Sequence, residues 1–303
     1  MKIDIQKLFT FDGHRDCVYS LELGVEPDIF YSSSGDGMIV KWSLKDPDNG
    51  ELLAKMKNSV YCVHYRPEEQ VLIAGQNYEG IHFIDTTSKN EIGSVQISKA
   101  QIFDIKSHEN KIFIGSSDGI LYIIDWETKA FISKIKLSDK SVRTIAINEN
   151  LGDMAIGLSD NTIRILDLKS FRPKYLIHAH KLSVFSLTYD PLSNNLISGS
   201  RDAHLKIWSS SDQYKLKESV VAHMYAINHI SISPSHDYFL TCSMDKTIKV
   251  WDLKTFKLLK VIDRSRYAGH TTSVNRVLWT KNEGLFLSCS DDRKISVWEL
   301  RFN

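Results

Sequence analysis

Ser198, His180 and Asp202 supply a hydroxyl, an imidazole and a carboxylate, the groups that nucleophilic hydrolysis uses as nucleophile, base and orienting acid. The same trio recurs as Ser32 with His14 and Asp36, as Thr241 with His223 and Asp245, and as Ser288 with His270 and Asp292. A catalytic constellation is built once, whereas a hydrogen-bonded device that stiffens a repeating unit is built once per unit. All four trios are therefore read as structural. Asp46, Asp48 and Gly50 hint at a calcium loop, but Lys57 stands where its bidentate glutamate should come, which leaves a turn between outer strands. His64, His82, His108, His178, His204, His229 and His236 show neither the H-E-x-x-H spacing nor the Cys/His pairing of a zinc site. His178 and His180 form an H-x-H pair that one strand face could present, a weak metal candidate. Gly35-Asp36-Gly37 is too short for a phosphate-binding glycine loop, and no strand-to-helix context follows it. The expectation is no catalytic residue, no metal and no cofactor.

The elements that carry these groups repeat. AHLKIWS, KTIKVWD and RKISVWE share one ending, which contains Trp208, Trp251 and Trp298, and GMIVKWS supplies Trp42. The ending recurs without tryptophan in GIHFIDT, GILYIIDW and NTIRILD, which puts Ile84, Ile124 and Leu166 at the equivalent place. Those seven positions are spaced by 42, 40, 42, 42, 43 and 47 residues, so seven units cover nearly all of the 303 residues. Each unit alternates short runs of Val, Ile, Phe, Tyr and Thr with turn clusters such as Asp36-Gly37, Asp118-Gly119 and Asp190-Pro191. That is the pattern of antiparallel strands, about four per unit, with no sustained helical period. Sheets of this size must bury their faces on one another, and a closed ring protects most edges. The expected fold is all-β: a seven-bladed propeller of four-stranded antiparallel blades, one domain over residues 1–303.

Composition narrows the function classes. With 42% apolar and 25% charged residues the chain is neither disordered nor collagenous, and Lys plus Arg at 38 against Asp plus Glu at 37 disfavours a nucleic-acid partner. The charged amino terminus, MKIDIQKLFT, lacks a secretory apolar stretch, and no apolar run approaches the roughly 18 residues of a membrane helix. Cys17, Cys62, Cys242 and Cys289 lie far apart in apolar strand contexts and are read as reduced, buried thiols of a cytoplasmic protein.

His14, His180, His223 and His270 each follow a Gly or Ala and precede Trp42, Trp208, Trp251 and Trp298 by 28 residues every time. This pattern resembles the WD-repeat family over nearly the whole chain. The resemblance implies a buried network in each matched repeat that links histidine, strand Ser or Thr, turn Asp and the tryptophan indole. The Ser or Thr stands ten residues before the tryptophan and the Asp six before it. In the other repeats the Ser/Thr position holds Ala74, Ile114 or Ile156 and the His position Met56, Gln96 or Ser138. Loss is expected to be concerted, since a half-satisfied buried network costs more than an apolar one. Asp118 and Asp160 persist as turn residues, and Tyr78 replaces the third carboxylate. The resemblance also implies that residues 1–11 supply the fourth strand of the last blade.

In WD-repeat proteins the turns between second and third strands share a surface, the top, with the connections between blades. About 23 residues before each tryptophan position, near the channel mouth on each innermost strand, come Tyr19, Tyr61, Phe103, Arg143, Phe185, Asn228 and Asn275. Aromatics and arginine are what anchor protein interfaces, although Tyr61, Phe103 and Phe185 could equally fill gaps between blades. The residues just before the turn carboxylate include Arg201, Met244 and Asp291, and Arg143 with Arg201 beside Phe185 would suit a carboxylate or phosphorylated side chain of a peptide. A few extra residues between the last two repeats, around Asp263, Arg264, Ser265, Arg266 and Tyr267, are expected to protrude on the same face. Together these make the expected function a non-enzymatic, monomeric scaffold that binds a peptide or folded protein on its top face. The rival is a small-ligand or enzymatic propeller that uses the central channel.

Overall fold

Turn-forming residues cut each repeat into four short strands, and the chain lays them side by side from the channel outward. The computed structural model describes residues 3–282 and 284–302, in which seven four-stranded antiparallel sheets form the ring. The innermost strands, one per blade in chain order, are Val18–Leu23, Val60–Arg66, Ile102–His108, Val142–Asn148, Val184–Tyr189, Ile227–Ile232 and Val274–Trp279. Seven apolar clusters lie one between each pair of neighbouring blades, so the core is a ring of interfaces.

The strand Ile3–Phe11 closes that ring. It pairs with Ile295–Phe302 as the outermost strand of the seventh blade, with Ile5 opposite Leu300 and Phe11 opposite Ile295. Ile3 and Ile5 pack with Leu240 and Val250 of the sixth blade, while Phe11 meets Phe30 and Trp42 of the first at centroid distances of 5.0 and 5.1 Å. One strand thus seals three blades. Met1 and Lys2, also expected in it, lie outside the described residues.

All four expected networks are present. In the fifth blade Trp208 Nε1 donates to Ser198 Oγ at 2.9 Å, Ser198 Oγ lies 2.8 Å from His180 Nε2, and His180 Nδ1 lies 3.1 Å from Asp202 Oδ2. The first, sixth and seventh blades repeat this with indole-to-hydroxyl distances of 2.8, 2.9 and 2.8 Å. Asp202 also accepts the backbone N–H of Lys181 and of His204. An ionised carboxylate only accepts, so Nδ1 carries the proton and the neutral ring's Nε2 accepts from the serine hydroxyl. Burial holds His14, His180 and His223 below the ordinary histidine value despite the neighbouring carboxylates. Ser198, buried and engaged by both indole and imidazole, has no access to a substrate.

Several expectations change. In the third blade the hairpin between Ile102–His108 and Lys111–Ser116 turns directly at His108 and Lys111, two residues tighter than in the second blade. Ser98, not Gln96, therefore takes the histidine position, and its Oγ donates to Asp118 Oδ2 at 3.1 Å. Tyr122 OH donates to the same oxygen at 2.7 Å, and Ser116 donates to Oδ1. The loss is not concerted here: the carboxylate recruits new donors because it still holds its turn through the Ile120 N–H. Asp160 likewise takes the hydroxyl and N–H of Thr162. Cys17 is only half-buried, unlike the other three thiols, and all four are free. His178 ends an exposed strand edge while His180 turns into its blade, so the pair shares no strand face. Asp46 and Asp48 open an outer strand whose Gly50 lies so close under Trp42 that a Cβ there would meet the indole at 2.5 Å.

Candidate interaction site at the channel mouth

Every innermost strand breaks register at one place. The shifts fall between Val18 and Ser20, Val60 and Cys62, Ile102 and Asp104, Val142 and Thr144, Val184 and Ser186, Ile227 and His229, and Val274 and Arg276. The residue left unpaired in each bulge is Tyr19, Tyr61, Phe103, Arg143, Phe185, Asn228 or Asn275. A bulge adds one residue, bends the strand and re-aims a side chain. All seven line a single cavity of about 410 Å³ at the mouth of the channel.

An arc of this ring is aromatic and cationic. Tyr19 meets Tyr61 edge-on at 4.6 Å, and Tyr61 stacks on Phe103 at 6.0 Å with planes 11° apart. The Arg143 guanidinium carbon lies 3.8 Å from the Phe103 centroid and 4.7 Å from that of Phe185, so the cation is held between two rings from the flanking blades. Burial pushes its pKa down to about 10, partly offset by Tyr61, and its Nε has no acceptor. Burial also raises the Tyr19 and Tyr61 hydroxyls, which therefore stay protonated donors at neutral pH. The two asparagines do another job. Asn228 Nδ2 donates to Ser273 Oγ and Val274 O, and Asn275 Nδ2 donates to Val18 O and Asp291 Oδ1, which ties the sixth, seventh and first blades together.

Deeper in the same cavity lie Asp104, Lys106, His229 and Arg276. Asp104 accepts the N–H of Ile105 at 3.0 Å and of Ile145 at 2.8 Å, and faces Lys106 at 3.8 Å. His229 Nδ1 and Arg276 Nε are buried without partners. Burial first, then the charges of Arg276 and Lys106, hold His229 well below the ordinary value, so its ring is neutral. Glu22 and His64 pair at 3.6 Å, and Glu22 lines the second cavity at the opposite mouth. Burial alone would raise the Glu22 carboxyl, but His64, Lys106 and Arg276 hold it below its usual range.

Other expected contacts stand apart. Arg201 and Met244 are exposed in their turns and do not line the cavity. Asp291 serves Asn275. The extra segment makes one helical turn, Arg264–Tyr267, beside the closing strand, whose Lys7 donates to Ala268 O. There Asp263 caps the Arg266 N–H and takes two bonds from its guanidinium, at 2.9 and 2.6 Å. Neither Arg264 nor Arg266 reaches the ring. Sequence reasoning missed Lys106 and Arg276; stepping from each ring position to its neighbours along the inner strand would have found them.

The family model described as nucleolar protein 10-like, N-terminal domain, matches residues 100–298, and that of the WD domain, G-beta repeat, matches residues 5–43. Apoptotic protease-activating factor 1 of Danio rerio is 23% identical over 206 residues, 66% of this chain and 16% of that protein. WD repeat-containing protein 1 of Rattus norvegicus is 24% identical over 266 residues, 84% of this chain and 43% of that one. Eukaryotic translation initiation factor 3 subunit I of Drosophila grimshawi is 25% identical over 261 residues, covering 84% and 69%. The chain thus spans less than half the length of the first two.

Proposed function

This chain belongs to the WD-repeat β-propellers and to the propeller family described as nucleolar protein 10-like, N-terminal domain, and we propose that it is a non-enzymatic scaffold binding a protein partner at its top face. WD-repeat relatives are typically interaction scaffolds, and one similar protein is by its name a subunit of an initiation factor. The observation that carries the reading is the convergence of seven bulged residues on one cavity, with Tyr19, Tyr61, Phe103, Arg143 and Phe185 as a continuous aromatic and cationic wall. Rigid aromatic anchors and arginine in a pocket are the parts from which interface hot spots are built. The hydroxyl–imidazole–carboxylate trios are committed to blade stiffening and leave the channel mouth as a recognition site. We place the protein in the cytoplasm, where four free thiols are in keeping with a reducing compartment, and expect one propeller per partner.

The test compares proteins co-purifying with the wild type, with a Tyr61→Ala, Arg143→Glu, Phe185→Ala variant, and with Leu192→Glu, an exposed residue of a first-to-second-strand turn on the opposite face. Partners lost by the triple variant and kept by Leu192→Glu are expected. Identical recovery by all three, at equal melting temperatures, would move the interface to another surface.

A further inference from the structure

The channel mouth carries cations without anions to match. Arg143, Lys106 and Arg276 line the cavity against one carboxylate, Asp104, whose oxygens already serve two backbone N–H groups and face Lys106. Among the described residues neither guanidinium has a hydrogen-bond or ion-pair partner, and the Nε of each is buried. Buried donors in folded proteins nearly always have an acceptor, so two such groups in one cavity mark a place where an acceptor binds. Glu22 does not fill the role: it pairs with His64 on the side of the opposite mouth.

The aromatic rings set the sign of the ligand. Phe103 and Phe185 cover the two faces of the Arg143 guanidinium and confine its N–H groups to the edge between them. That geometry leaves no aromatic face free for an incoming lysine or arginine, which would also meet a net positive cavity. It suits a planar or tetrahedral oxyanion, which a guanidinium fork binds through two oxygens. The Tyr19 and Tyr61 hydroxyls at the same mouth add neutral donors. A volume of about 410 Å³ admits the anionic group together with the residue or small molecule that bears it.

We propose that the channel mouth is an oxyanion site, in which Arg143 and Arg276 bind one carboxylate or phosphate group, with Lys106 supplying further positive charge. The proposal rests on the channel mouth being the contact site and specifies the chemistry of the group inserted there. It differs from the expectation of an Arg143 and Arg201 pair in drawing its second guanidinium from the seventh blade.

The experiment is thermal melting and titration calorimetry of the full chain with sodium phosphate, and with N-acetyl-phosphoserine amide, each against sodium chloride at equal ionic strength. Either anion at ten times its dissociation constant is expected to raise the melting temperature by about 3 °C. Arg143→Gln and Arg276→Gln should each abolish the rise, Arg143→Lys should weaken binding about tenfold, and Lys181→Gln, an exposed cation of the top face, should change nothing. Using both arginine variants guards against one of them failing to fold. Blocked phosphoserine binding at least tenfold tighter than phosphate identifies a peptide-borne group; equal binding identifies a free oxyanion, and both support the site. No rise beyond chloride, or an equal rise in both glutamine variants, would overturn it. Loss of oxyanion binding in Arg143→Gln without loss of co-purifying proteins would sink the scaffold's use of this mouth while leaving the oxyanion site standing.

Discussion

Replacing Ser198 by alanine removes one oxygen and strands two buried groups. Trp208 Nε1 loses its acceptor at 2.9 Å and His180 Nε2 its donor at 2.8 Å, in a place with no solvent access for the serine. Each buried polar group left unpaired costs about 1–3 kcal/mol, and the retained Cβ keeps the cavity small, so the variant should lose about 3 kcal/mol. For a chain of this length that is a fall of about 6 °C in melting temperature. Trp208→Phe removes the indole N–H and leaves Ser198 bound to His180. In the double variant only the imidazole is orphaned, so the two losses should fall short of additive by about 1–2 kcal/mol. The second blade already shows the fully apolar outcome, with Ala74 and Ile84 packed at these places. Urea unfolding followed by circular dichroism, which does not depend on the tryptophan removed, measures all three variants. A Ser198→Ala loss below about 0.5 kcal/mol, or strict additivity in the double variant, would refute the claim that the trio is a satisfied structural network.

Stability should fall in two stages as the solution is acidified. His14, His180 and His223 are held below 6.5 by burial, so below that value the unfolded chain binds more protons than the folded one; their contribution is complete above pH 6.5 and is lost as pH drops through the folded values. Asp36, Asp202, Asp245 and Asp292, all held below 3.8 by their hydrogen bonds and neighbouring histidines against the opposing effect of burial, with Asp292 at about 2, add a second loss that begins below pH 3.8. Urea midpoints at pH 7.5, 5 and 3 check this, and a flat response between 7.5 and 5 contradicts the neutral histidines. Deleting residues 1–10 should lower the melting temperature strongly, because it exposes the outer edge of the seventh blade and removes Ile3 and Ile5 from the sixth-blade interface; a truncated chain that melts like the full one refutes ring closure. Phe11→Ala, a milder cut at the same seam, should cost about 3–5 kcal/mol by calorimetry.

Blade number, strand polarity and the four networks were legible in the sequence because each is decided within one repeat. An indole, a hydroxyl, an imidazole and a carboxylate satisfy one another only at set distances along a single four-stranded sheet, so the intervals of 28, 10 and 6 residues recur wherever the network does. The seven ring positions were legible for the same reason, since periodicity carries them from blade to blade. Counting failed at Ser98, where a hairpin two residues tighter shifts the register while the carboxylate stays in place. What a ring position does was decided only by the assembled ring. Asn228 and Asn275 look like surface residues by position, yet they bind the backbone of the next blade. Arg143 lies about 40 residues from both Phe103 and Phe185, and only closure of the propeller puts it between them. The balance of charge in the channel is likewise a sum over strands from Ile102–His108 to Val274–Trp279. Local spacing specifies how each blade satisfies its own polar groups; which groups the channel leaves unsatisfied depends on side chains that meet only when all seven blades share one axis.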